Sequence, residues 1–371
     1  MSDILRSIER TPAFVVEYDK FKRNVDLIDS LQQDAPVQFL LALKGFAMFS
    51  LFDDISSVVR GATASSLNEA RLASSYFNEV HTYAPAYHPR EVKEIASIAT
   101  HMSFNSVAQY EMHRSLLTHT QAGLRINPEY STVETDLYNP CTPGSRLGVP
   151  SSELTTLPEG ISGLHSHNLC ENGAFELQQT LKQIETLYKE HLSSISWLNL
   201  GGGHLVTKEG YDTQLFIRTL SEFKERYPHI ELIVEPGAAF VWQTGVLVAT
   251  VLDIVSNNGV KTAMLDTSFA THMPDTLEMP YTPTLRDATI AKGGLRLGGA
   301  SCLAGDWVGE YSFNSPLEVG DRLIFEDMIH YTMVKTTTFN GVNLPDIAIL
   351  QDGKIKVVKE FGYEDYRSRL S

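Results

Sequence analysis

Lys44 closes the apolar run Phe39-Leu-Leu-Ala-Leu43. An ammonium held at an apolar strand end is poorly hydrated, which lowers its pKa and frees the amine as a nucleophile. Schiff-base chemistry with a carbonyl group suits it; a lysine whose stem snorkels to solvent is the alternative. Glu235-Pro-Gly237 ends another apolar run with a carboxylate. Beside such a lysine it could hold a pyridinium N–H and keep the ring an electron sink, or it could serve as an ordinary salt-bridged glutamate. The glycines Gly201, Gly202 and Gly203 follow a third run. Their N–H groups could cradle a phosphate, although a plain tight turn needs the same residues.

His165 and His167 lie two apart in Leu164-His-Ser-His-Asn168, with no further His or Cys at metal-site spacing, so no metal is expected. One imidazole could stack on a flat cofactor while the other is structural. Cys302 sits in the small-residue loop Gly298-Gly-Ala-Ser-Cys-Leu-Ala-Gly-Asp306, where a thiol could deliver a proton or be a buried inert side chain. Arg146, Arg296 and Lys335 read as salt-bridge partners and are given no site role.

Short apolar runs punctuate the chain up to about residue 237: Gln38–Leu43, Ser57–Ala62, Glu79–Tyr83, Thr100–Phe104, Ala122–Ile126, Ile161–Leu164, Ile195–Leu200 and Ile230–Val234. Amphipathic stretches separate them, clearest over Asn172–His191, with Phe175, Leu177, Leu181, Ile184 and Leu187 on one face, and over Thr213–Tyr227. Strand and helix alternating in this way predict an α/β fold, a TIM-like (β/α)8 barrel over residues 18–245. Such barrels carry their working groups at the C-terminal ends of the strands. Lys44, Ser66 with Glu69, Asn105, Arg125, His165, Gly201–Gly203 and Glu235 all fall there.

After Gly245 the pattern turns to β-rich segments, Val246–Val255, Arg322–Phe325, Tyr331–Phe339 and Ile347–Val358. A C-terminal all-β domain, a β-barrel or sandwich, is expected over 246–371. Ala13–Glu17 has no slot in the barrel and is expected to join it, bringing residues 1–17.

The charge sum, 30 Lys+Arg against 45 Asp+Glu, leaves −15. That balance repels nucleic acid and anionic membrane and favours a small cationic ligand. Three widely spaced cysteines make no disulfide framework and fit a reducing, cytoplasmic setting. The first ten residues hold no apolar signal core, and the apolar stretch 236–252 is short and broken by Pro236, Gly237 and Gly245, so it reads as core.

Taken together, the chain resembles the fold-type III pyridoxal-phosphate decarboxylases, the group that includes ornithine, arginine and diaminopimelate decarboxylases. The phrases Ala42–Phe46, Gly61–Ser66, Leu164–Glu171, Glu235–Phe240, His272–Asp275 and Ser301–Asp306 are most similar to the branch acting on carboxynorspermidine and carboxyspermidine. The resemblance implies pyridoxal 5'-phosphate as cofactor, a lyase of polyamine biosynthesis giving norspermidine or spermidine, and a homodimer whose β domain completes the neighbour's site. It implies that Lys44 holds the cofactor, His165 stacks on it, Gly201–Gly203 bind its phosphate and Glu235 pairs with its ring nitrogen. Ser66, Glu69, Arg125, Gly237 and Tyr331 are implied as further cofactor contacts, and Cys302 as the cysteine lent across the dimer; carboxylates near the mouth, Asp275 and Asp306 foremost, are expected to hold the substrate's cationic arm. Ala238 replaces an arginine that many relatives carry, so Asn168 or backbone groups would have to hold the phosphate. Leu303 replaces the aspartate that grips ornithine's distal amine, which disfavours ornithine. Diaminopimelate or arginine decarboxylation remains an alternative, as does an inactive relative that binds and regulates a partner.

Overall fold

The computed structural model describes residues 2–133 and 135–371, so Met1 and Glu134 lie outside it. Two compact units divide the chain: Met1–Arg23 with Val241–Ser371, and Asn24–Phe240.

The first strand, β1 (Ala13–Glu17), belongs to the former unit. The latter unit is a closed eight-stranded parallel barrel. Its strands are β2 (Gln38–Ala42), β3 (Gly61–Ala64), β4 (Glu79–Tyr83), β5 (His101–Phe104), β6 (Gln121–Ile126), β7 (Ile161–Ser166), β8 (Trp197–Asn199) and β9 (Glu231–Val234). The barrel closes where β2 pairs with β9, Gln38 opposite Ile233 and Phe39 opposite Val234. Beyond that pairing the segments after β2 and β9 approach so closely that a Cβ on Gly45 would lie 2.9 Å from Gly237 Cα. Both positions therefore need glycine, and this packing accounts for Gly237.

The outer helices follow their apolar spacing. In Thr213–Arg226, Phe216, Leu220 and Phe223 recur at helical period and are buried, and the Asp212 carboxylate caps the helix by accepting from the Leu215 N–H at 2.8 Å. In Ala174–Leu187 the buried stripe is Ala174, Leu177, Leu181 and Ile184. Phe175, expected on that face, is 56% exposed because Ala174 takes the core position one residue earlier. The expected strand Ser57–Ala62 also starts late. The Ser57 N–H bonds the Asp53 carbonyl and the Val59 N–H the Ile55 carbonyl, so the turn that ends the preceding helix consumes these β-branched residues.

The other unit is one eight-stranded sheet. Its remaining strands are β10 (Gly245–Asn257), β11 (Val260–Leu265), β12 (Ala288–Gly298), β13 (Trp307–Phe313), β14 (Arg322–Glu326), β15 (Asp346–Gln351) and β16 (Lys354–Lys359). The long β10 is its hub, pairing antiparallel with β1, β11 and β14. β1 also lies parallel to β15, and Val15, Val246, Val248, Ile324 and Ala348 share a core. The buried Glu17 at the end of β1 is answered by Arg286 and Lys20, each at 3.0 Å. Tyr331–Phe339, expected as strand, instead holds the helix Thr332–Lys335. The β-branched pattern is overridden by the Lys335 side chain, which pairs with Asp275 and Glu278.

Inside the barrel, Trp197 lies over paired glycines, Gly123 opposite Gly163. A Cβ would stand 2.1 Å from the indole at Gly123 and 2.0 Å at Gly163. Gly163→Ala is expected to destabilise the chain by about 1–3 kcal/mol through overpacking. Denaturant unfolding checks this, and a midpoint equal to wild type would show that the indole can move aside.

Candidate active site

Strand register builds the site. Arg125 on β6 is opposite His165 on β7, which is opposite Asn199 on β8. These three side chains form one inward row at the C-terminal ends of adjacent strands, all buried. Glu235 follows β9, and the Asn199 amide donates to Glu235 Oε1 at 2.6 Å. His165 Nε2 stands 3.7 Å from Glu235 Oε2. Lys44 follows β2, and its Nζ is 3.1 Å from His167 Nε2. Arg125 donates from Nη2 to the His167 carbonyl at 2.9 Å and lies 4.6 Å above the Tyr83 ring. Tyr83 meets His165 edge-on at 5.4 Å and donates its hydroxyl to Asn105 Oδ1 at 2.8 Å.

Exclusion from water dominates the electrostatics. Burial lowers the pKa of Lys44, an effect opposed by Glu235 and reinforced by Arg125. It also holds His165 and His167 well below the usual histidine range, with Arg125 and Lys44 acting in the same direction. Burial raises Glu235, against the pull of His81, Asn199, Lys44 and Arg125. Neither ring nitrogen of the buried His165 has a hydrogen-bond partner.

Lys44, Arg125, His165 and Glu235, expected from the sequence, thus come together. Ser66 and Glu69 cap the helix Leu67–Ser74: Ser66 Oγ accepts from the Glu69 N–H at 3.2 Å and Glu69 Oε2 from the Ser65 N–H at 2.6 Å. Burial raises the Glu69 pKa.

Several expectations need correction. The N–H groups of Gly201 and Gly202 donate to Asn199 Oδ1 at 2.8 Å and His167 Nδ1 at 3.1 Å. Packing also requires glycine here, since a Cβ on Gly203 would lie 2.1 Å from the Leu169 carbonyl. Asn168 is likewise committed, donating to the Tyr130 carbonyl and Thr180 Oγ1 and accepting from Ser166 Oγ. In the sheet unit, Asp306 is buried and accepts from the N–H groups of Phe269, Ala270 and Ser301 and from Ser268 Oγ. It organises that loop and has no place for a substrate ammonium. Asp275 pairs with Lys335, which any substrate cation would have to displace. Cys302, in the same unit, is exposed, with its N–H bonded to Asn340 Oδ1 at 2.7 Å, and Tyr331 precedes the helix Thr332–Lys335.

Sequence reasoning missed Asn199 and left His167 as structural. A polar residue two positions before the glycine run, on the inward face of an apolar strand, was the available signal for Asn199.

No helix among the described residues is long and apolar enough to cross a membrane. A carboxyaminopropylagmatine decarboxylase of Synechocystis sp. is 54% identical over 368 residues, covering 97% of this chain and 95% of the relative. A carboxynorspermidine/carboxyspermidine decarboxylase of Campylobacter jejuni is 40% identical over 97% of this chain and 98% of the relative. The crystal structure of carboxynorspermidine decarboxylase from Campylobacter jejuni complexed with norspermidine superposes with a TM-score of 0.89 at 39% identity, covering 97% of this chain and 100% of that one. Diaminopimelate decarboxylase from Helicobacter pylori, complexed with L-lysine, shares the fold at TM-score 0.84 and 17% identity, covering 100% of this chain and 99% of that one. The family described as "Pyridoxal-dependent decarboxylase, C-terminal sheet domain" matches residues 14–329, and on that match and these full-length relatives the chain belongs to the pyridoxal-dependent decarboxylases.

Proposed function

We propose that this chain is the carboxy-lyase of a carboxylated polyamine, an α-amino acid whose side chain is a cationic alkylamine, and that its cofactor is pyridoxal 5'-phosphate. The observation that carries the reading is the desolvated Lys44 amine beside Glu235, His165 and Arg125. The residues fit the cofactor: an amine of lowered pKa for its aldehyde, an imidazole with two unpartnered nitrogens for its face, and a carboxylate held by Asn199 for its ring nitrogen. When bound, the cofactor supplies an electron sink for the charge left as CO2 departs.

Lys44, with its lowered pKa, would be the residue that holds the cofactor. Glu235, oriented by Asn199, would hold a protonated ring nitrogen, and His165 would support the ring's flat face. Arg125 keeps a fixed positive charge near the reacting end. The substrate's Cα–carboxylate bond breaks, and the carbon takes a proton, for which the exposed Cys302 thiol of a second protomer is the proposed source. Tyr331 of that same protomer is proposed as a phosphate contact.

Carboxynorspermidine and carboxyspermidine, the substrates that name the Campylobacter jejuni relative, end in a primary amine. Carboxyaminopropylagmatine, which names the relative of 54% identity, ends in a guanidinium, and that higher identity favours it as a second reading. The chain's net charge of −15 suits all three cations. One methylene is worth only about 1–3 kcal/mol, so the two amine-ended substrates are separated weakly, whereas the two end groups differ in hydrogen-bonding geometry. Measuring kcat/KM on all three decides: turnover of at least one supports the reading, and turnover of none, with diaminopimelate or arginine accepted instead, overturns it.

Glu235→Gln is expected to retain the cofactor's visible absorbance while kcat falls about tenfold or more, or roughly 1.4 kcal/mol of barrier; a loss under about threefold removes the electron-sink role.

Sharing of sites is tested by mixing Lys44→Ala with Cys302→Ala and allowing subunits to exchange. If each Cys302 serves the other protomer's barrel, one intact site per mixed dimer restores up to about a quarter of wild-type activity. If it serves its own barrel, every site is damaged and the mixture stays at the level of the single variants.

A further inference from the structure

We infer that His167 is a positioning residue, whose ring, fixed by the Gly202 N–H at Nδ1, presents Nε2–H to Lys44 and so holds that side chain as the uncharged amine. The donor at one end is unambiguous. A backbone N–H can only donate, and that of Gly202 points at His167 Nδ1 over 3.1 Å, so Nδ1 carries a lone pair. In a neutral imidazole the proton is then on Nε2. Nε2 is 3.1 Å from Lys44 Nζ, which must offer a lone pair to complete the contact. An ammonium would need Nε2 as acceptor, placing the ring proton on Nδ1, directly against the Gly202 N–H. Two donors would then face each other in a half-buried contact.

The ring has little room to escape this choice. A Cβ on Gly201 would lie 2.7 Å from Nδ1, and one on Gly202 would lie 3.2 Å from Cε1, so the glycine turn forms the wall against which the imidazole packs. The groups facing His167 are Lys44, Arg125, His165 and His204, and all disfavour a positive ring. Those facing Lys44 divide: Glu235, Glu69 and Cys170 favour its charge and Arg125 opposes it. Burial outweighs the two carboxylates and lowers the amine's pKa, and the hydrogen bond from His167 acts in the same direction. This inference rests on the proposed role of Lys44, because only an uncharged amine attacks a carbonyl. It gives the glycine run a task distinct from phosphate binding.

Two measurements test it on the full-length chain freed of cofactor, with folding verified by circular dichroism. Nitrogen-15 NMR of the histidine-labelled wild type, with the His167 signals identified by their loss in His167→Phe, should report a neutral ring protonated at Nε2. A ring protonated at Nδ1, or at both nitrogens, overturns the inference. Competitive acetylation across pH, with Lys44 quantified by mass spectrometry, gives the midpoint at which the amine becomes reactive. In His167→Phe, which keeps a flat ring but no donor, that midpoint should rise by about one pH unit, a tenfold change in the protonation equilibrium. An unchanged midpoint overturns the inference even if the variant is inactive. If the cofactor proves to be attached to another lysine, the functional reading fails, while the ring's protonation state and the Lys44 midpoint still decide the hydrogen bond.

Discussion

A buried guanidinium cannot shed its charge, and the barrel mouth is arranged around one. Arg125 is 5% exposed. Its charge contributes to the lowering of Lys44, His165 and His167 and opposes the rise of Glu235 and Tyr83. Isolated burial of such a group would be prohibitive. Here the hydrogen bond to the His167 carbonyl and the face of Tyr83 receive it. Burial drives the nearby bases towards neutral forms, and this fixed charge acts in the same direction. The mouth therefore presents a permanent cation, carboxylates beside Lys44 and a set of uncharged nitrogens. Nucleophilic attack and tight packing against a flat ring both need that distribution.

The barrel itself was legible because its signals are local. Alternating strand and helix periods marked eight runs, and the polar residues that interrupt them fell at the strand ends where parallel register sets Arg125, His165 and Asn199 side by side. What could not be read depends on partners far away in sequence. Asn168 looked available until its amide met Tyr130 and Thr180. Asp306 looked like a substrate carboxylate until the loop starting at Ser268 wrapped it in N–H groups. Tyr331–Phe339 reads as strand by composition, yet one turn of helix forms where Lys335 reaches two acidic side chains. In each case a hydrogen-bond or ion-pair commitment formed across the fold decided the role, and no periodicity encodes such commitments.

The same limit explains the histidines. His165 and His167 lie two apart, a spacing that a continuous strand would send to one face, but β7 ends at Ser166 and frees His167 from that pattern. His165 falls inside β7 and is left without partners for its ring nitrogens, while His167, just past the strand, is gripped at both ends. An unpartnered ring beside a fully engaged one cannot be inferred from Leu164-His-Ser-His-Asn168.

At the opposite, N-terminal ends of the strands the barrel solves the reverse problem. Glu79 starts β4 and His101 starts β5; His81 stacks on His101 with ring centroids 4.0 Å apart, and Trp197 packs edge-on against His101. Two protonated imidazoles in that stack would repel. Burial and the neighbouring His81 hold His101 below its usual range, so that ring stays neutral. Burial would raise Glu79, but hydrogen bonds from His81 and Gln38 outweigh it and keep the carboxylate ionised. An ionised Glu79 is thus fixed at the floor while Arg125 fixes a positive charge at the mouth. The two are not independent, since His81, bonded to Glu79 at 2.8 Å, is also one of the groups that lower the Glu235 pKa against burial. The floor therefore does more than fill the barrel: by holding His81 against an ionised Glu79, it helps set the charge of the carboxylate at the other end.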